Sequence, residues 1–278
     1  MAGKLFIVGT PIGNMDDITI RALEALKNAD LIAAEDTRRT GILLNRFNIK
    51  VPLTSYYEHK KREKGEYVIK KLKEGKNVAL VSDAGMPAIS DPGEDLVKLC
   101  IENGIEFTVI PGPTAFVTAL VASGLPTSNF CFEGFLTVKK TGRLARLEEI
   151  KNDKRTLVFY EAPHKLDRTL KDILAVLGDR RAAACRELTK KHEEVIRGTV
   201  SSLITHFSET GPKGEFVLVV EGLVKEEEKE FSMTVSEHID MLISEGMDKK
   251  EAVKTAAKQR NLPKREVYNA YVGEGGED

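Results

Sequence analysis

NVALVSDAGMPAISDP, residues 77–92, opens with the apolar run Val78 to Val81 and breaks at once into Ser82, Asp83, Gly85 and Pro87. A short apolar run closed by turn residues reads as a buried strand ending in a loop. The same break follows LFIV at residues 5–8, which runs into GTPIGN, and FTVI at 107–110, which runs into PGPTA. Open α/β sheets hold their ligands beyond the carboxyl ends of the strands. Three such endings are therefore expected to converge on one cleft.

Working outward, Thr19 to Ala29 carries Ile20, Leu23 and Leu26 at helical spacing, and Leu31 to Ala34 is a second strand. This strand–helix–strand alternation predicts a parallel sheet with covering helices. Further helices are expected at 40–47 and 94–103, and the turn at Pro111 to Pro113 leads into a small-residue stretch at 114–123. A second α/β domain follows, with strands at 130–135, 156–160, 182–185 and 216–220 and helices at 166–177 and 201–207. Glu-rich sequence at 224–231 reads as a linker. Beyond it, Thr234 with Glu237 and Asp248 with Glu251 are candidate capping boxes, and Pro263 suits the first turn of a third helix. The expected organisation is an N-terminal domain over 1–118, a second over 119–223 that completes the cleft, and a small helical unit over 232–278.

The chain has 278 residues, 41% hydrophobic and 31% charged, with a formal net charge of −1. That suffices for a sizeable core, and no apolar run approaches the roughly 18 residues a membrane span needs. A cytoplasmic protein is expected. Cys100, Cys131 and Cys185 lack any metal-ligand spacing and read as small buried hydrophobes in a reducing compartment. Basic residues are clustered. Lys60 to Lys73 holds seven against two Glu, and Lys249 to Arg265 holds seven against one Glu. The first reads as a solvated amphipathic helix or a nucleic-acid-facing surface. The second sits on a helical unit and points to phosphate contact.

Several familiar motif spacings are absent. Gly9 to Gly13 encloses Pro11 and lacks a full GxGxxG run, and no GxxxxGK[ST], GxSxG or HExxH sequence occurs. The Asp83-Ala84-Gly85 turn, with no bulky side chain after the acid, lets backbone approach a flat ligand closely. A tight turn in which Asp83 merely accepts backbone hydrogen bonds is the alternative.

Taken in order, VGTPIGN at 8–14, SDAGMPAISDPG at 82–93 and PGPTA at 111–115 resemble the tetrapyrrole methylase superfamily of S-adenosylmethionine-dependent enzymes. AEDTR at 34–38, SYYEH at 55–59, FEGF at 132–135, YEAPH at 160–164, CREL at 185–188 and GEFVLVVEG at 214–222 are similar to one branch. That branch comprises the 16S ribosomal RNA (cytidine-2′-O)-methyltransferases, which act at the decoding region. The resemblance implies a two-domain α/β fold, a homodimer, and S-adenosylmethionine held folded against backbone loops. It places Pro11, Asp83, Ala84, Gly85 and Ser90 at the cofactor, with Thr114 and Ala115. Leu157, Phe159, Ala162, Pro163, Glu215 and Phe216 would contribute from the second domain.

The implied reaction is in-line attack of a ribose 2′-oxygen on a sulfonium-bound methyl group. It needs alignment, exclusion of water and an acceptor for the hydroxyl proton. Glu35, Asp36, His59, Glu133 and Glu187 are the candidates on or beside these motifs, and no metal is required. Arg38, Lys139, Lys140, Arg143, Arg186 and Lys190 are candidate RNA contacts on the two α/β domains. Lys249, Lys250, Lys254, Lys258, Arg260, Lys264 and Arg265 are those on the helical unit. The implied partner is 16S rRNA within a partly assembled small subunit. A tetrapyrrole methyltransferase, which would not need the basic helices, and a non-catalytic RNA-binding protein are the competing expectations.

Overall fold

The N-terminal alternation becomes a five-stranded sheet in the computed structural model, which describes residues 2–57, 61–224, 233–260 and 262–274. Its strands are β1 (Leu5–Val8), β2 (Leu31–Ala34), β3 (Leu53–Ser55), β4 (Val78–Val81) and β5 (Phe107–Ile110), in the order β3-β2-β4-β1-β5. All pairings are parallel. The crossovers carry α1 (Ile20–Lys27), α2 (Thr37–Arg46), α3 (Lys61–Lys73) and α4 (Glu94–Glu102). Side chains alternate along a strand, so Leu5, Ile7, Val78 and Leu80 pack with residues of α3 and α4. Val8, Ile32, Ala79 and Val81 pack with residues of α1 and α2. With both faces covered, these strands read as unbroken apolar runs.

Between β4 and β5 the chain crosses over β1, so the loops after β1, β4 and β5 emerge side by side. They are tied to one another. Thr10 and Gly85 exchange backbone hydrogen bonds of 2.9 and 3.0 Å. Gly9 and Gly112 meet backbone to backbone, and a Cβ on Gly9 would stand 2.8 Å from the Gly112 Cα.

The second sheet is built from β6 (Phe130–Phe135), β7 (Thr156–Glu161), β8 (Arg181–Arg186), β9 (Glu194–Thr199) and β10 (Phe216–Val220), in the order β6-β7-β10-β8-β9. Only β6 and β7 are parallel; the other pairings are antiparallel. Helices α6 (Lys140–Ile150), α7 (Pro163–Leu177) and α8 (Val200–Thr210) cover one face. The other receives α5 (Ala115–Ser123), whose Ala119 and Leu120 pack on Val158, Cys185, Val217 and Val219. A helix that starts at the end of β5 thus belongs by packing to the second sheet, and position 118 lies within it.

Residues 1–223 form one compact unit and 224–278 another. The smaller unit holds α9 (Val235–Ser244), α10 (Lys249–Gln259) and α11 (Lys264–Glu274) around Ile239, Leu242, Val253, Ala256 and Val267. Thr234 and Glu237 form a reciprocal capping box. Asp248 caps one way only, accepting from the Lys250 and Glu251 amides. The acidic stretch 225–230 lies outside the described residues. No described helix is long and apolar enough to cross a membrane.

Candidate active site

The carboxyl ends of β4 and β5 face the ends of β7, β8 and β10 across a cavity of about 470 Å³. That lies within the ~300–1,000 Å³ range of small-molecule clefts. Ala84, Gly85, Ser90, Thr114 and Ala115 supply one wall, and Ala162, Pro163, Glu215 and Phe216 supply the other. Ile12, Met86, Ile89, Phe116 and Phe135 add apolar surface. Gly85, at φ 82°, turns the chain in a conformation that favours glycine.

Two loops shape the cavity by unusual backbone. Ala88 and Ser90, after β4, have φ of 68° and 62°, and Glu187 and Thr189, after β8, have φ of 49° and 65°. Such strain concentrates at functional sites. Gly134, at φ 63° in the β6 bulge, touches the first of these loops. A Cβ there would lie 3.4 Å from the Ser90 Oγ.

Carboxylates collect at the strand ends of the first sheet. The Asp83 amide donates to Glu35 Oε2 at 3.4 Å, and the Asp36 amide donates to Asp83 Oδ1 at 3.0 Å. Arg39 closes on Asp83 Oδ2 at 3.2 Å. Burial first, and then the Asp83 charge, raise the Glu35 pKa. Asp91, on the cavity wall, is raised to about 6, chiefly by burial and then by Glu35, with the Ser82 hydroxyl acting in the opposite direction. Facing it on β7, Tyr160 is also raised by burial. At the opposite wall Lys190 bridges Glu187 at 3.1 Å and Glu215 at 3.2 Å. Burial would raise Glu187, but the Glu215 amide and Lys190 outweigh it and the net direction is down.

Some residues expected at the site lie elsewhere. Leu157 and Phe159 are fully buried beneath α6, α7 and α8 and do not reach the cavity, because alternation along β7 turns them to its far face. Pro11 and Asp83 are beside the cavity without lining it. Arg38 embraces Asp36 through two hydrogen bonds of 3.0 and 2.7 Å, which holds that carboxyl down at about 2. Asp36 is also the N-cap of α2. Glu133 turns away to Arg146 at 2.8 Å and to the Cys131 thiol. Burial pushes its pKa up, and those bonds bring it below the usual value. His59 is outside the described residues.

Among the expected RNA contacts, Arg143 is buried and spent. It bonds Asp172 at 2.6 Å and the carbonyls of Thr137 and Val138. Arg186 pairs with Glu194 on the neighbouring strand at 2.6 Å. Arg260 bonds His238 Nδ1 and the carbonyls of Met233 and Thr234, holding the smaller unit together. Lys139 and Lys140 are exposed at the start of α6. Lys249, Lys250, Lys254, Lys258, Lys264 and Arg265 are all exposed, and Lys250, Lys254 and Lys258 recur at the i, i+4 spacing of one helix face.

The structure adds cavity residues that the sequence reading had not singled out: Asp91, Phe135, Tyr160 and His164. Asp91 stands inside the opening motif, but only the loop's left-handed backbone decides that it, and not Asp83, faces the cavity. Cys185 lines the floor and burial pushes its thiol up to about 12, so it is a packing residue and not a nucleophile. No group of three or more His, Cys, Asp or Glu fit to hold a metal occurs among the described residues.

The cavity suits a sulfonium compound by its donor set: apolar walls, backbone from three loops, and more carboxylates than cations on the lining. Comparison with known proteins agrees with that chemistry. A family described as Tetrapyrrole (Corrin/Porphyrin) Methylases matches residues 4–204. "Ribosomal RNA small subunit methyltransferase I" of Halalkalibacterium halodurans is 51% identical over 97% of this chain and 94% of its own. The protein of the same name from Thermotoga maritima is 52% identical over 220 residues, which are 79% of this chain and 99% of that one. Among solved structures, uroporphyrin-III-C-methyltransferase from Thermus thermophilus aligns at TM-score 0.58 and 23% identity, covering 78% of this chain and 94% of that one, which establishes a shared fold.

Proposed function

The chain belongs to the tetrapyrrole (corrin/porphyrin) methylases, and from that premise we propose that it methylates small-subunit ribosomal RNA with S-adenosylmethionine. The acceptor is the ribose 2′-oxygen of a cytidine in the decoding region. The observation that carries this reading is the near-full-length identity to proteins named for that RNA. It favours RNA over a tetrapyrrole as substrate.

When bound, the sulfonium compound supplies an electrophilic methyl carbon. The protein's part is to hold, orient and dry the reacting groups. Gly85, Thr114, Ala115 and Ala162 offer backbone approach to the donor, and Ile12 and Phe116 give it apolar cover. Phe135, half out of the cavity at 57% exposure, stands where an incoming nucleoside would enter. Lys249, Lys250, Lys254, Lys258, Lys264 and Arg265 bind RNA phosphates, while Lys139 and Lys140 extend contact on the larger unit.

The Thermotoga relative supports a division of labour. It carries the same name within a length close to that of the larger unit here. Chemistry therefore resides in residues 1–223, and 224–278 adds affinity for the particle. A homodimer is part of the proposal, supported by apolar side chains exposed on α5 and the edge strand β6: Val117, Val121 and Phe130.

Transfer of a labelled methyl group to under-modified small subunits, followed by mapping of the modified atom, tests the reading. Label on a single cytidine 2′-oxygen is the expected result. Label on a base, or on a tetrapyrrole in preference to RNA, refutes it.

A further inference from the structure

We propose that Asp91 takes the ribose hydroxyl proton during methyl transfer, an assignment that rests on the RNA-methylation reading above. Among the sequence candidates, Asp36 is held by Arg38, Glu133 by Arg146 and Glu187 by Lys190. A carboxylate so paired is a weakened base. Asp91 lines the cavity, and no described Lys or Arg forms an ion pair with it. Arg39, whose charge acts on Glu35 at the same acidic corner, closes on Asp83.

The geometry is specific. Asp91 sits directly after Ser90 on the loop bent by Ala88 and Ser90, and that loop abuts the β6 bulge at Gly134. Glu35 faces it from the end of β2, Asp83 and the Ser82 hydroxyl from the end of β4, and Tyr160 from β7. Phe135 packs edge-on against Tyr160, with ring centroids 5.5 Å apart. An acceptor nucleoside entering past Phe135 therefore meets Tyr160 and Asp91. Burial and the Glu35 charge tune Asp91 to about 6, the range in which a carboxylate is mostly ionised at neutral pH yet basic enough to accept a proton.

The step balances without another reagent. As a lone pair of the ribose oxygen bonds the methyl carbon, the carbon–sulfur pair passes to sulfur, leaving a neutral thioether. The hydroxyl proton passes to Asp91 and is released to water after product leaves. Glu35 is a positioning residue in this scheme, keeping Asp91 basic through its charge.

The test combines titration of the free protein with single-turnover transfer to immature small subunits. In the free protein, carbon-detected NMR of the Asp91 carboxyl is expected to show a midpoint near 6, moving down in Glu35→Gln. The wild-type rate should rise with pH through an acid limb at that midpoint. Asp91→Asn should lose about 10²–10⁴-fold in rate and lose the limb. Calorimetric affinity for S-adenosylmethionine should be retained, and the melting temperature should not fall below that of wild type.

Asp91→Asn turning over at the wild-type rate, or keeping the acid limb, overturns the proposal. If that variant does not fold, Glu35→Gln decides: an acid limb that stays in place overturns it, and one that moves down supports it. Wild-type enzyme that labels no ribosomal RNA at any pH removes the underlying reading instead, whatever the NMR midpoint.

Discussion

Replacing Gly112 by alanine tests whether the cleft depends on the contact between the first and third loops. The new Cβ would lie 2.9 Å from the Gly9 Cα and 3.0 Å from its carbonyl carbon and oxygen. All three are backbone atoms, so no side chain can swing aside. Reaching an ordinary carbon contact of ~3.5 Å requires the loops to part by about 0.6 Å. Overpacking of this kind costs about 1–3 kcal/mol, or roughly 2–10 °C in Tm for a domain of this size. The displacement does not stop at Gly9. Thr10 is bridged to Gly85, on the cavity wall, by two backbone hydrogen bonds. Affinity for S-adenosylmethionine is therefore expected to fall by about tenfold, equivalent to ~1.4 kcal/mol. Scanning calorimetry and titration calorimetry read the two effects. Gly41→Ala is the control: it sits inside α2 with nothing within 4 Å of its new Cβ, and should stabilise by about 0.5–1 kcal/mol. Gly112→Ala with wild-type melting and wild-type affinity would refute the reasoning.

Arg143→Ala should destabilise by about 3–5 kcal/mol in denaturant unfolding, because it strands Asp172 and two carbonyls in the interior. RNA affinity of the folded variant should be unchanged, and a selective loss of RNA binding would restore Arg143 as a contact. Replacing Lys250, Lys254 and Lys258 together by alanine should weaken RNA binding and flatten its salt dependence by about 2–3 in log–log slope, leaving cofactor affinity intact. An unchanged slope in filter binding would count against the stripe. The Asp91 pKa is raised on folding, from the usual aspartate value of 3.8 to about 6, so its stabilising contribution is full below pH 4 and is lost as pH rises through 6. Asp91→Asn should therefore gain stability on wild type across that window, by about 1 kcal/mol after discounting for solvent screening. Melting curves that stay parallel from pH 4 to about 7 would contradict this.

The first sheet was legible because its central strands are covered on both faces, so LFIV, LIAA and VALV stand out as apolar runs, and FTVI, an edge strand with Val109 exposed, was found from the turn chemistry of PGPTA that closes it. Elements with neither signal were missed. β3 has only three half-buried residues, and β9, EVIRGT, is an edge strand with Arg197 and Gly198 exposed. Helix α6 was read only as a basic patch, since Gly142 and its charged positions leave just Arg143, Leu147 and Ile150 buried. The antiparallel build of the second sheet left no trace either, because a run such as FVLVV looks the same whichever way its neighbours point. The cleft loops were found from their turn chemistry. Which acid faces inward was not, since that depends on the φ of Ala88 and Ser90, two residues with no sequence bias toward left-handed backbone.

The packing of α5 also fixes how this protein can be taken apart. A cut at residue 118 would leave the second half only residues 119–123 of α5, too short a remnant to persist as a helix, so Ala119 and Leu120 would no longer be held over Val158, Cys185, Val217 and Val219 and a sticky sheet surface would face water. A split enzyme meant to reassemble on command should instead be opened ahead of Ala115, so that the helix travels with the sheet it shields. Fragments divided there are expected to remain dispersed until mixed, whereas those divided four residues later should precipitate.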